Sequence, residues 1–178
     1  MSTVLTIFDF DDTLIKSETE IIIQHADGSM SYLDSEEYAR YEEKPGDKFD
    51  YSNFDKYPKN PKRISDTFKE LEASLGRGDH VIILTARSNR IPVEDFMRNH
   101  GYNVEIITVG SVSPIAKANV VMNILRSRKY DLVQVFEDNS KNIRAIKKIV
   151  SDEGVRFKST VIDASHRSRL LEIFLRKS

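Results

Sequence analysis

Val4-Leu5-Thr6-Ile7-Phe8-Asp9-Phe10-Asp11-Asp12-Thr13 is the stretch on which the fold turns. As far as Phe10 it is nearly all apolar and rich in β-branched residues, the composition of a strand covered on both faces. Its far end sets carboxylates at the strand's exit. Acids directly after a buried strand are costly unless a cation or hydrogen bonds compensate them.

Downstream the alternation of strand and helix becomes regular. Short buried strands are expected over 81–85, 104–109, 132–136 and 157–162. Asn60-Pro61 carries an N-cap and an N1 proline, which predicts a helix from there towards Gly76 or Gly78. Further helices are expected over 92–99, stopped by Gly101; from Ser113-Pro114 to about 128; over 140–150, exposing Lys141, Arg144, Lys147 and Lys148; and over 168–175. Strands alternating with helices predict an α/β fold, a Rossmann-like parallel sheet with helices on both faces.

Between the first strand and this regular half, segments 20–24 and 30–33 flank Asp27-Gly28, a hairpin signal. Asp34 with Glu37 forms a capping-box pair that opens a short helix to about 41. From 42 to 60 the period lapses around Pro45-Gly46, Pro58, Phe49, Tyr51, Phe54 and Tyr57, which predicts a long ordered loop or lid. The expectation is one domain, 1–178, with a small β-hairpin/helix/loop cap insert at about 15–60.

Composition narrows the function classes. Charged residues make up 31% and no apolar run approaches the roughly 20 residues of a membrane span, so no membrane association is expected. The first residues lack a basic stretch ahead of apolar ones, and cysteine is absent; a cytoplasmic location without disulfides or thiolate chemistry is expected. A net charge of -1 argues against a protein that coats nucleic acid. His25, His80, His100 and His166 lack zinc-ligand spacing, and no Gly-x-x-x-x-Gly-Lys loop is present.

Ligands of such sheets gather beyond the carboxyl ends of the strands. A second acid cluster, Glu137-Asp138-Asn139, follows the strand over 132–136 just as Asp9, Asp11 and Asp12 follow the first. Two such clusters on one edge would repel without a metal, and oxygen ligands completed by water and phosphate are how magnesium is held. Thr85 ends another strand, and Lys117 lies near the start of the helix that Pro114 opens, where it can offset carboxylates and pair with phosphate. Singly, each has a plainer reading: Asp11 and Asp12 as turn or cap residues, Thr85 as a strand-end hydroxyl, Lys117 as a solvated side chain, Asn139 and Asn142 as helix-start residues. Their joint order at strand ends favours a magnesium and phosphate site.

Together these residues resemble the haloacid dehalogenase superfamily of phosphohydrolases. Asp9-Phe10-Asp11-Asp12-Thr13 is similar to its Asp-x-Asp-x-Thr motif, Thr85 after Ile82-Ile83-Leu84 to the second, Lys117 to the third, and Glu137-Asp138 with Asn142 to the fourth. The resemblance implies a magnesium-dependent phosphatase: Asp9 attacks phosphorus to form an aspartyl-phosphate, and Asp11 acts as general acid, then base. It implies magnesium held by Asp9, the backbone carbonyl of Asp11, and Asp138. Thr85 and Lys117 would bind the transferring phosphoryl group. Glu137 stands where many members have glycine or aspartate and Asn142 where many have aspartate, which leaves open whether Glu137 ligates the metal or, like Asn142, supports its ligands.

Substrate choice in such proteins falls to the insert. The expected partner is a phosphorylated small molecule or nucleotide. Basic residues Lys56, Lys59, Lys62 and Arg63 close to Phe49, Tyr51, Phe54 and Tyr57 could stack bases of a nucleic-acid end, or the rings could pack the loop and leave the cations solvated. Arg87 could fork onto a substrate phosphate or make a structural ion pair. The competing readings are an end-processing nucleic-acid phosphatase and a phosphate- or metal-binding module without turnover.

Overall fold

The structure, a computed structural model, describes residues 2–163; the helix expected over 168–175 lies outside them. Five parallel strands form the central sheet: β1 (Val4–Phe8), β7 (His80–Thr85), β8 (Glu105–Thr108), β9 (Leu132–Glu137) and β10 (Arg156–Val161), in the order β10-β9-β1-β7-β8. β1 is central because it is the most completely apolar; Leu5, Ile7 and Phe8 are all buried. Four helices cover the sheet: α2 (Ser65–Gly76) and α3 (Ile91–Asn99) on one face, α4 (Pro114–Ser127) and α5 (Ser140–Asp152) on the other. On the first face Phe68, Leu71, Phe96 and Met97 meet Phe8, Phe10 and Ile83. On the second, Val121, Ile146 and Val150 meet Leu5, Ile7 and Val135. The chain is an α/β protein with a Rossmann-like parallel sheet, as its sequence predicts. Among the described residues no helix is long and apolar enough to cross a membrane.

This topology chooses the place of the site. From β1 the chain moves outward to β7 and β8, then returns to the other side of β1 for β9 and β10. The crevice between β1 and β9 is therefore the switch point at which α/β sheets bind ligands. Phe8 pairs with Phe136 across it, their rings stacked 4.6 Å apart, so the next residues of both strands emerge side by side.

The remaining elements form the insert. It leaves and re-enters the domain through a two-stranded neck, β2 (Ile15–Lys16) against β6 (Lys62–Arg63). Beyond the neck β3 (Ile21–Gln24) pairs antiparallel with β4 (Met30–Leu33) and with β5 (Lys48–Asp50). The hairpin turns at Asp27-Gly28, with Gly28 at φ +86, a conformation glycine adopts freely. Asp34 caps α1 (Ser35–Ala39) with both bonds of the capping box.

Two local expectations fail for identifiable reasons. Segment 42–60 is not one loop: it contains β5 and a 3-10 turn over Ser52–Asp55. Lys48-Phe49-Asp50 is too short and charged to announce a strand, and it forms because β3 offers an edge. The helix expected to open at Asn60-Pro61 starts four residues late, at Ser65. The neck pairing holds Lys62 and Arg63 extended, and Asn60 takes φ 46 to turn into it.

A hydrogen-bond knot ties the insert together. Asp47, nearly inaccessible, accepts from the Tyr41 hydroxyl at 2.6 Å and the Lys44 N–H at 2.8 Å, and lies 2.8 Å from His25 Nδ1. The Tyr41 hydroxyl, with the Lys44 and His25 donors, holds the Asp47 carboxyl down at about 2. That acceptor fixes a proton on Nδ1, and Nε2 lies 2.7 Å from the Ser31 hydroxyl. Two strands and a loop are thus joined by side chains where the insert has little core of its own.

Candidate active site

β1 ends in Phe8, and the backbone N–H of Asp9 still donates to the Phe136 carbonyl at 3.0 Å, so Asp9 is delivered beside β9. The chain then folds back sharply: the N–H groups of Thr13, Leu14 and Ile15 all point at the Phe10 carbonyl. Asp12 enters this turn at φ 61, a left-handed conformation that aspartate tolerates better than most side chains. The turn presents Asp9, Asp11 and Thr13 to the sheet edge while Phe10, Leu14 and Ile15 anchor it in the core.

Opposite, β9 ends in Glu137 and Asp138. One carboxylate oxygen from each of Asp9, Glu137 and Asp138 falls within 4.8 Å of the others. Lys117, 3% exposed, reaches in from α4 and donates to Asp9 Oδ1 at 2.7 Å and to Glu137 Oε2 at 2.8 Å. Glu137 Oε2 also accepts from Asn142 Nδ2 at 3.1 Å, and Oε1 from the Asn139 N–H at 3.1 Å. The Thr13 hydroxyl bridges Asp9 Oδ2 and Asp138 Oδ1, at 3.2 and 3.4 Å.

These distances divide the acids by role. Both Glu137 oxygens are occupied by protein donors, so Glu137 serves to hold Lys117 in place, with Asn142 behind it. Asp9 Oδ2 and Asp138 share the Thr13 hydroxyl, and the Asp138 carboxyl lies against those of Asp9 and Glu137; among the described residues no cation is bonded to Asp138. Electrostatics agree. Burial and the Glu137 charge push the Asp9 carboxyl up, opposed by Lys117. Burial works against the Glu137 charge too, yet Lys117 and its other donors outweigh it and hold Glu137 below its ordinary value. Burial likewise opposes the Lys117 charge, and its two carboxylates more than restore it. Asp138 has no such cation: burial and then the Asp9 charge raise it strongly. Three carboxylates thus share one ammonium, which leaves two negative charges beyond what Lys117 neutralises when all three are ionised. Oxygen donors at this separation fit a hard divalent ion such as magnesium, through Asp9 and Asp138.

Thr85 lies at the same edge, at the end of β7, 1% exposed; its hydroxyl accepts the Arg87 N–H at 3.2 Å and retains its own proton for a ligand. Lys117 likewise has a third N–H to offer. Arg87 does not. Its Nε and one terminal nitrogen donate to both oxygens of Asp11, each at 2.8 Å, and the other terminal nitrogen donates to the Phe54 and Lys56 carbonyls at 2.7 and 3.0 Å. Of the two roles the sequence allows it, Arg87 takes the ion pair. Asp11 is thereby held with both oxygens accepting, so proton donation from it requires one of those bonds to open.

Beside Asp138 opens a cavity of about 330 Å³, lined by Asp12, Lys16, Ser35 and Glu36 among others. Asp12 accepts from the Ser35 hydroxyl at 2.9 Å; burial, partly offset by that bond and reinforced by Asp11 and Asp9, pushes its carboxyl up to about 6. A larger open groove of about 700 Å³ runs along the edge strand β8 and contains none of the clustered acids; the chemistry selects the smaller cavity.

The aromatic side chains of segment 42–60 make ring contacts within the protein, although Tyr57 is also exposed. Phe49 lies against Tyr38, Tyr41 and Tyr51, Phe54 covers the Arg87 guanidinium, and Tyr57 rests on Phe96. Lys56, Lys59, Lys62 and Arg63 are exposed around them. Sequence reasoning quoted Thr13 without giving it a task, and passed over Ser35 and the carbonyls of Phe54 and Lys56. Position 13, two residues past Asp11, was the one available signal; backbone acceptors leave none.

No family model matches the chain, and neither a curated protein nor a solved structure matches it. What the site does has to be argued from its own chemistry.

Proposed function

We propose that the protein is a magnesium-dependent phosphohydrolase of the haloacid dehalogenase type, cleaving a phosphomonoester of a small molecule or nucleotide in the cytoplasm. The observation that carries this is the meeting of Asp9, Asp138 and Lys117 at the switch point, with Thr85 on the same edge. A nucleophilic carboxylate, a place for a cation and donors for phosphoryl oxygens thus lie on one edge of the sheet.

In this reading an Asp9 oxygen attacks phosphorus, the bond to the leaving oxygen breaks, and that oxygen takes a proton from Asp11. Water then gives its proton to Asp11, attacks the aspartyl-phosphate and frees Asp9 and inorganic phosphate. Lys117 keeps Asp9 ionised and orients it, and its third N–H together with the Thr85 hydroxyl holds phosphoryl oxygens as charge builds on them. Magnesium on Asp9 and Asp138, with the Asp11 carbonyl as the further ligand the family resemblance implies, supplies charge neutralisation for the phosphate.

The test is phosphate release from a panel of phosphorylated metabolites, nucleotides and 3′- or 5′-phosphorylated oligonucleotides, with magnesium or with chelator. Release is expected with magnesium alone, lost in Asp9→Asn with its thermal transition retained. Activity that persists in Asp9→Asn removes covalent catalysis. A wild-type protein that binds magnesium yet releases nothing from the panel refutes the phosphomonoesterase reading in favour of a binding module.

A further inference from the structure

Arg87 is among the most deeply committed charges in the molecule. It is 3% exposed, lies with its guanidinium carbon 5.4 Å from the Phe10 ring centroid and 5.2 Å from that of Phe54, and directs hydrogen bonds two ways. One pair runs to Asp11 on the catalytic edge; the other runs to the carbonyls of Phe54 and Lys56 in the insert. The next two residues reinforce the insert side alone: the Ser88 hydroxyl bonds to Asp55, and Asn89 Nδ2 donates to the Asp55 carbonyl at 2.9 Å. Three consecutive residues after β7 thus clasp the 3-10 turn Ser52–Asp55, and the first of them also carries Asp11.

We infer that Arg87 is a positioning residue that couples the seat of the insert to the orientation of Asp11, so that the proton-transfer group is in place only when the insert is docked. The reasoning is geometric. A guanidinium is a rigid planar fork, so it cannot keep its angle to Asp11 while following a displaced Phe54–Lys56 backbone. Phe10 and Phe54 on its two sides remove the room in which it could swing. Asp11 itself is a quarter exposed by its side chain, and among the described residues its hydrogen-bonded link to the turn at 52–55 runs through Arg87. The task in catalysis rests on the proposed phosphohydrolase reading, whereas the coupling is a property of the fold.

A coupling of this kind is reciprocal: disturbing Asp11 must loosen the turn as surely as disturbing the turn displaces Asp11. Amide hydrogen exchange at Phe54 and Lys56, followed by NMR in the full chain, reads it without any assay of activity. Asp11→Ala and Arg87→Lys are each expected to raise exchange at these two amides roughly tenfold, leaving β1 and β9 protected. Arg87→Lys keeps the charge and removes the fork, so it is a fair probe even if Arg87→Ala fails to fold. With p-nitrophenyl phosphate as substrate, Arg87→Lys is expected to lower kcat by roughly 10²-fold, the scale of a misplaced catalytic group, with KM little changed. Wild-type exchange in Asp11→Ala overturns the coupling. A raised KM with kcat intact in Arg87→Lys overturns the positioning role, because Arg87 would then act on bound phosphate. Loss of the phosphatase reading itself shows as an inactive wild type, and the exchange measurement still decides the coupling.

Discussion

Lys117→Met tests the electrostatics of the site most sharply. The methionine fills a similar volume, so the packing of α4 against the sheet is nearly conserved. What disappears is the ammonium held between Asp9 and Glu137 at 2.7 and 2.8 Å, with all three side chains 10% exposed or less. Removing one partner of a buried ion pair costs about 3–5 kcal/mol, because the charge left behind is neither paired nor solvated. Here two carboxylates are left, but one can take up a proton, which caps the loss near that range instead of doubling it. For a chain of this length the midpoint of thermal unfolding should fall by about 6–20 °C. The protonation makes a second, signed forecast. In the variant the folded state binds a proton that the unfolded chain gives up above the ordinary carboxylate range, so the variant should lose stability as pH rises, relative to wild type. Urea unfolding in chelator at several pH values measures both. A destabilisation below about 1 kcal/mol, flat with pH, would refute the view that Lys117 compensates buried acids.

Other consequences follow from the same contacts. Asp12 carries a carboxyl raised to about 6 from an ordinary 3.8. The folded state therefore binds the extra proton between those values, and stability falls as pH rises through them; Asp12→Asn in chelator should flatten that slope and stabilise at pH 7 by up to about 3 kcal/mol. An unchanged slope in urea titrations between pH 4 and 7 would count against it. Magnesium should stabilise the wild type, by about 2.7 kcal/mol at a hundredfold excess over its dissociation constant, and far less in Asp138→Asn; calorimetric scans with and without chelator check this. Asp34→Ala removes the side-chain half of the α1 capping box, the bond from the Glu37 N–H, while the Asp34 N–H can still donate to the Glu37 carboxylate; it should cost about 1 kcal/mol in urea unfolding. A larger loss would mean that α1 supports the domain and not only the insert.

The sheet was legible in the sequence because its signals are local and redundant. Val4 to Phe8 is apolar but for Thr6, Pro114 opens α4, and Asn139 caps α5 through its side chain, as such residues do in isolation. The insert was legible only where a motif is self-contained, at Asp27-Gly28 and at Asp34 with Glu37. β5 has no pattern of its own and depends on β3 for its edge, and the start of α2 is set by the neck and not by Pro61. At the site, the meeting of acids could be read from strand ends, since a parallel sheet brings those ends together. The division of labour among the acids could not. That Glu137 is saturated by Lys117, Asn142 and Asn139, while Asp138 is not, depends on side chains from two helices and one backbone N–H.

The same division is what a cation site of the kind proposed needs, even though one lysine is already buried there. Had the role of Lys117 been only to neutralise the edge, a second cation near Asp138 would have completed the core without strain. Instead Asp138 is left as the most open of the three acids, raised by burial and by Asp9, next to a cavity. A fold tolerates such local conflict chiefly where something must bind. Lys117 stays bonded to Asp9 and Glu137, which lets the sheet fold with those acids in place; the charge it does not offset lies towards Asp138 and the cavity, where in the proposed reading an exchangeable ion would enter and leave. In that reading stability and reactivity fall to different acids within a few ångströms of one another.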